Sequence, residues 1–437
     1  MKNICLLFQV NHPFQLRSYR FFDIGHDHYY YDDFSNKSNM LKIAKRCYLP
    51  MNEILLSLLK TYKGKFKVNF SISGSAIDHF EMYAPEVIES FKLLAKTGHV
   101  EFTAETYAHS LVSVKSPEEF AVQVQKHAEK IKDLFGKKPK VFSNAELIYS
   151  DYIGEQVYNM GFEGIIAEGA KQVLGWKSPN FVYCNANNPR LKVLLRNYKL
   201  SDDISLRFSN QSWSEWPLTA SKFRTWIESI PANEEVLNLV MDYKTFGEYH
   251  KIHTGIFDFF KAFVGEILSQ TTMEFATPSE IVAQYQPVSV LSVPNNTSWS
   301  DEERDLSSWL GNNLQREAFE NVYSLLDEVR LCTDESILKD WYKLQSSNNF
   351  QYMSTKYFAT ANTIGHNNPY PTPYEAFINY MNVIADFAER VKKCPKSNDL
   401  QTMSTEQIDE EIEKASLMLK QLMDLKSKQK KSKKISK

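Results

Sequence analysis

Two acids stand out for where they fall. Glu146 closes the run Val141-Phe142-Ser143-Asn144-Ala145-Glu146 and is followed by Leu147-Ile148-Tyr149. Asp242 closes Leu237-Asn238-Leu239-Val240-Met241-Asp242 and is followed by Tyr243. A short apolar run ending in an acid reads as a buried parallel strand that delivers a carboxylate to the C-terminal edge of a sheet. Two carboxyl groups at one rim are the minimum equipment for cleaving a glycosidic bond. One attacks the anomeric carbon and the other protonates the leaving oxygen. Their surroundings must then hold the two at different pKa values. Residue types alone do not separate the roles. Asp242 lies between Met241 and Tyr243, so partial burial is expected to raise its pKa and favour it as the acid, leaving Glu146 as nucleophile.

A lone Asp or Glu after a strand is more often a helix cap than a catalyst. That reading weakens here because both acids precede apolar and aromatic residues rather than a clear helix start. Other acids recur in or just after strand-like runs: Glu101, Glu105, Glu168, Asp202 and Asp203. In a barrel every loop after a strand faces one mouth, whereas an open sheet gathers its functional loops at a single crevice. Acids at five successive strands fit the barrel better.

The elements that position these acids alternate over the first two thirds of the chain. Strand-like runs lie at 4–10, 68–73, 100–103, 141–143, 164–167, 193–195, 236–241 and 273–276, with amphipathic helical stretches between most of them. One such stretch is 85–97. Another opens at Ser116-Pro117-Glu118-Glu119, a capping box with proline at the first helical position, and Gly136 ends it. Such alternation implies parallel βαβ units. No glycine-rich phosphate loop follows a strand, so nucleotide binding has no support. The long, aromatic connection 11–40 reads as a wall of the cleft. Beyond residue 290 the pattern turns helical. Residues 1–290 are thus expected to form the catalytic barrel, 291–425 a helical domain, and 426–437, mostly Lys and Ser, a frayed basic tail.

Composition bounds the remaining choices. The 437 residues carry 43% hydrophobic and 24% charged side chains and a net charge of −2, which gives no reason to expect nucleic acid or an acidic membrane as partner. The five scattered cysteines form no CxxC pair, so neither a disulfide framework nor a thiolate metal site is expected. No charged-then-apolar leader precedes the first strand and no apolar stretch reaches membrane-spanning length, which makes a cytoplasmic protein the natural reading. His12, His79, His99 and His109 lie near strand ends or loops, but none forms an HxxxH or HExxH pair. They read as hydrogen-bonded residues of a polar cleft rather than metal ligands. The aromatic content of 13% suits sugar faces as well as a large core. Oligomeric state is not legible.

Five separated stretches resemble glycoside hydrolase family 57, in particular its α-amylase-like branch, from the first strand to about residue 390. Phe8-Gln9-Val10-Asn11-His12-Pro13-Phe14 resembles the first family motif. Gly98-His99-Val100-Glu101-Phe102, with Glu105-Thr106-Tyr107 and His109-Ser110-Leu111, resembles the second. Glu146 matches the family nucleophile, and Asp242, in Asp-Tyr-x-Thr-Phe-Gly-Glu, matches its acid/base. Ser298-Trp299-Ser300-Asp301 through Asn312 resembles the fifth. The resemblance implies an incomplete parallel (β/α)7 barrel with a C-terminal helical bundle. It implies retaining cleavage of α-1,4 bonds in starch, glycogen or maltooligosaccharides, without metal or other cofactor.

On that reading Tyr107, Tyr149, Trp213, Trp216 and Trp299 are candidates for stacking on sugar rings, and His12, Glu101, His109 and Asp203 for contacts to hydroxyls. Residues 301–312 are expected to fold over the mouth and bring Trp299 and Trp309 beside the substrate. The sequence departs from the family pattern around the pair. Asn11 and His12 stand where the first motif has His and Gln, and Ser143 and Ala145 where the third has Arg and Thr. Lys244 and Tyr249 stand where the fourth has Glu and His. Three alternatives stay open: a 4-α-glucanotransferase on the same scaffold, a glucan-binding homologue with weak catalysis, and a metal-dependent deacetylase or mannosidase on a related barrel.

Overall fold

The computed structural model describes residues 2–356 and 368–396, with 409, 412, 413, 416, 419 and 420. Most of the helix expected at 405–425, all of the tail 426–437 and residues 361–367 of the expected Asn- and Pro-rich loop lie outside the described residues.

Among the described residues ten strands form one sheet. They are β1 (Asn3–Val10), β2 (Val68–Ile72), β3 (Val100–Phe102), β4 (Val141–Ser143), β5 (Gly164–Glu168), β6 (Val182–Asn185), β7 (Lys192–Arg196), β8 (Val236–Asp242), β9 (Glu274–Phe275) and β10 (Val290–Leu291). β1 is central. All of its residues except Gln9 are buried, the signature of a parallel strand covered on both faces. It pairs in parallel with β2 and β8, and the register sets Gln9 opposite Asp242. Parallel pairing continues from β2 to β3, from β4 to β5, and from β5 to β7. Two thin seams join the rest. Ala104, just past β3, bridges Phe142 of β4 through two backbone hydrogen bonds of 3.0 and 2.8 Å. β7 meets β8 at the single pair Arg196 and Asn238. The path of seven parallel strands returns to β1 only through these seams. β6, unread in the sequence, runs antiparallel to β7 and carries β10 on its far edge.

Helix signals act where they fall, with one exception. Ser116 accepts from the Glu119 backbone amide, Pro117 takes the first helical position, and Gly136 ends helix Pro117–Phe135 with φ of 83°. The reciprocal half of the expected capping box does not form. The Glu119 carboxylate turns inward and accepts from the Trp341 indole N–H at 3.0 Å.

Two large apolar clusters fill the molecule. One packs Phe8, Phe70, Tyr243 and Phe260 against the helices around β1. The other joins barrel residues Phe142, Ile165 and Leu195 to Trp309, Phe319, Trp341, Phe350 and Tyr380 of the helical part. The connection 11–40 is not the cleft wall expected of it. Asn11 alone of it lines the cavity described below, and its middle docks on helix Pro373–Lys393, where Asp386 accepts from Gly25 N–H at 2.7 Å and Tyr30 Oη–H at 2.6 Å. A connection of that length was needed to reach a partner from the other end of the chain. Among the described residues no helix is long and apolar enough to cross a membrane.

Candidate active site

Glu146 follows β4 through a tight turn. Asn144 builds it by accepting from Ala145 N–H at 3.0 Å and donating to the Ile148 carbonyl at 2.9 Å. The turn forces Glu146 and Leu147 into left-handed backbone, φ 55° and 51°. That conformation costs a residue with a Cβ about 1–3 kcal/mol and persists only where its surroundings impose it. Residues 297–299 supply the constraint. Thr297 and Tyr149 exchange two backbone hydrogen bonds of 3.1 and 2.8 Å, and Trp299 N–H donates to the Glu146 carbonyl.

The Glu146 side chain is buried among donors. Trp299 Nε1–H donates to Oε2 and Ser347 Oγ–H to Oε1, each at 2.7 Å. His109 Nε2 lies 3.5 Å from Oε1. Burial alone would raise the Glu146 pKa, but the His109 charge and these hydrogen bonds outweigh it and hold the carboxyl below its ordinary 4.5. His109 in turn lies between two acids, with Nδ1 3.2 Å from Glu105 Oε1. Burial opposes its charge, but Glu105 and Glu146 together push its pKa up to about 10.

Asp242 ends β8 and caps the turn Tyr243–Thr245, accepting from Lys244 N–H at 2.8 Å. Its Oδ2 accepts from the Tyr249 hydroxyl at 2.8 Å and lies 3.4 Å from Lys244 Nζ. Its side chain is 34% exposed, against 9% for Glu146. The more buried of the two is thus Glu146, so burial does not single out Asp242 as the sequence suggested.

Both carboxylates line one cavity of about 140 Å³, together with His109, Trp299, Lys244 and Tyr249. Its far wall is a buried ion cluster. Arg196 pairs with Glu168 at 3.2 Å and with Asp202, and donates to the Val240 carbonyl at 2.7 Å. Arg304 lies 3.9 Å from Glu168 and 3.7 Å from Asp202, and also donates to the Trp299 carbonyl. Arg304 thereby links the wall to the tryptophan that holds Glu146. Asn11 donates to Asn348 at 3.0 Å across the mouth. Among the described residues no three His, Cys, Asp or Glu side chains are grouped so as to hold a metal ion.

Of the residues expected in the site, Glu146, Asp242, His109 and Trp299 share the cavity, and the others, Trp216 among them, do not line it. His12 points the other way and packs its ring on His79, 4.6 Å between centroids, as its neighbour Asn11 faces in. Glu101 caps helix Pro278–Gln284 through Ser279. Tyr107 donates to Asp78 at 2.8 Å, and the buried Tyr149 accepts from Asn185 at 2.8 Å. Asp203 pairs with Arg207 and, with Trp213, lines a separate open groove. Trp299 donates to the carboxylate, a role beyond the stacking expected of it, and Trp309 is buried in the core.

Three residues of the site went unread: Arg196 and Asn348, which line the cavity, and Ser347, which bonds Glu146. Arg196 sits inside an apolar strand pattern, and Ser347 and Asn348 sit in a polar run 200 residues past Glu146 with no motif to mark them. Asn11, Lys244 and Tyr249 were visible only as departures from the family pattern, and all three line the cavity.

A protein of Methanocaldococcus jannaschii named "Putative alpha-amylase" is 39% identical over 375 residues, 83% of this chain and 79% of that one. A branching enzyme of Thermococcus kodakaraensis shares the fold with a TM-score of 0.68 at 12% identity, covering 89% of this chain and 90% of that one. A 4-alpha-glucanotransferase of Thermococcus litoralis does so with a TM-score of 0.56 at 16% identity over 80% of this chain, which spans only about half (51%) of that longer one. The family model of glycosyl hydrolase family 57 matches residues 5–294, and on that match and the 39% identical relative the chain belongs to this family.

Proposed function

We propose that the protein hydrolyses α-1,4 bonds of starch, glycogen or maltooligosaccharides with retention, in a reducing compartment such as the cytoplasm. Glu146 attacks the anomeric carbon, and Asp242 protonates the leaving oxygen and then activates water. The observation that carries this reading is the unequal treatment of two carboxylates in one cavity. Glu146 is buried, oriented by two short hydrogen bonds and held ionised beside His109, as a nucleophile must be. Asp242 is the more open and sits beside the same space. The name of the 39% identical relative supports the substrate class. The five cysteines, free and buried, support the compartment.

The test is turnover of a chromogenic maltooligosaccharide by the wild type beside Glu146→Gln, with products followed by NMR. Release of the α-anomer first, abolished in the variant, is the expected result. Release of the β-anomer first would sink the retaining mechanism.

A second reading has its own observation. Lys244 and Tyr249, both departures from the family pattern, converge on Oδ2 of Asp242. A glucan-binding protein with slow catalysis would carry such changes. Measurable binding of maltoheptaose with no turnover in the wild type would favour it.

A further inference from the structure

Glu105 belongs to no step of the proposed reaction, yet it is 1% exposed and fully engaged. Its Oε2 accepts from Ser71 Oγ–H of β2 at 2.6 Å, and its Oε1 faces His109 Nδ1 at 3.2 Å. Its backbone N–H donates to His127 Nδ1 at 3.1 Å, and His127 Nε2 lies 2.7 Å from the Ile72 carbonyl. Because His127 Nδ1 accepts, the His127 proton is on Nε2, and that ring is neutral. His109 is placed differently. Both of its ring nitrogens face carboxylate oxygens, which only accept. Such a ring satisfies both neighbours only when both nitrogens carry protons.

We propose that Glu105 is a positioning residue that fixes His109 as an imidazolium, so that Glu146 faces a permanent cation. The claim deepens the reading of Glu146 as nucleophile and rests on it only for its effect on rate. Four elements pack around the relay. β2 brings Ser71, helix Pro117–Phe135 brings His127, the turn after β4 brings Glu146, and helix Ser347–Gln351 brings Ser347, whose backbone N–H also donates to the His109 carbonyl at 3.0 Å. The charged groups facing the His109 ring are Glu105 and Glu146. The one cation offsets half of the charge of the two buried acids, and hydrogen bonds from Ser71, Trp299 and Ser347 serve the carboxylate oxygens besides; a buried pair left without the cation would be strongly destabilising. The backbone of His109 is itself left-handed, φ 50°, so the ring reaches both acids from a single constrained position.

The experiment is side-chain NMR of the full-length protein labelled with 15N-histidine, with His109 assigned through His109→Gln. Spectra are taken from pH 5 to 9 for the wild type, Glu105→Gln and Glu105→Asp. In the wild type both His109 nitrogens should stay protonated to at least pH 8. In Glu105→Gln the midpoint should fall by about 1–3 pH units, the range for losing an adjacent opposite charge. In Glu105→Asp, which keeps the charge, the imidazolium should persist. The kcat of Glu105→Gln should decline with the same midpoint while KM holds.

A wild-type His109 with one ring proton at pH 7 overturns the proposal without any variant. So does a Glu105→Gln protein whose His109 titrates like the wild type, or a Glu105→Asp protein that loses the imidazolium as fully as Glu105→Gln. A persistent wild-type imidazolium in a protein that turns over no glucan would leave the Glu105 assignment standing and remove the hydrolase reading instead.

Discussion

Trp299 makes one polar side-chain contact that matters, its indole N–H on Glu146. Trp299→Phe keeps most of the ring and deletes the donor. A hydrogen bond to a charged group contributes about 1.5–3 kcal/mol, so kcat should fall about tenfold or more. The pH profile carries a sign as well. The proposed nucleophile must be ionised, and its pKa lies below 4.5, so on the acidic side wild-type activity is lost as pH falls through that lowered value. Removing a donor raises the pKa, and the acidic limb of Trp299→Phe should move to higher pH. His109 makes the opposite contribution to stability. Its pKa is raised, so its share is complete below about 6.5, the unperturbed value, and is lost as pH climbs through about 10. The melting temperature should decline between pH 7 and 10, and His109→Gln should flatten that decline. At this scale the sequence showed which two acids share the cavity, and little of their company. Strand periodicity and motif spacing mark Glu146 and Asp242. Whether Tyr107 faces a sugar or Asp78 depends on contacts that no local pattern encodes.

Helix Ser347–Gln351 is only five residues long, too short to be stable alone. Besides the Ser347 contacts to Glu146 and His109, it is held by a bridge between Ser110 and Ser346, by the Asn11 to Asn348 hydrogen bond, and by Phe350 buried against Phe319 and Tyr380. Phe350→Ala should cost about 3–5 kcal/mol in denaturant unfolding, the usual range for a buried phenylalanine. It should also lower kcat, because the same helix carries Ser347 to Glu146. Ser347→Ala should lower kcat with little change in unfolding midpoint, which separates the two effects. The helix could not be read from Ser346-Ser347-Asn348-Asn349, which shows polar residues and no period. By contrast the helix at 335–344 and the cap at Ser116 were legible to within a residue, since apolar spacing and caps are local signals. Glu119 shows the limit of such signals. The local rule sends its carboxylate back to the cap, and a tertiary partner, Trp341, takes it instead.

At the scale of the molecule, the family match ends at residue 294 while Trp299 and Ser347 lie beyond it. The second apolar cluster is also shared across that point. A chain cut after Pro294 should therefore lack cooperative unfolding by circular dichroism and show no turnover. A cut chain that melts cooperatively would show the barrel to be self-sufficient. The order of the chain then bears on synthesis. Both acids have been added to the chain by residue 242, but the two hydrogen-bond donors that orient Glu146 come 153 and 201 residues after it. At about 5–20 residues per second, the 105 residues between Asp242 and Ser347 take roughly 5–20 seconds to make. During that interval a nascent chain holds both carboxylates without the two side chains that orient Glu146. On the proposed roles activity would wait until residue 347 has been made, a delay that follows from where two hydrogen-bond donors were placed in the gene.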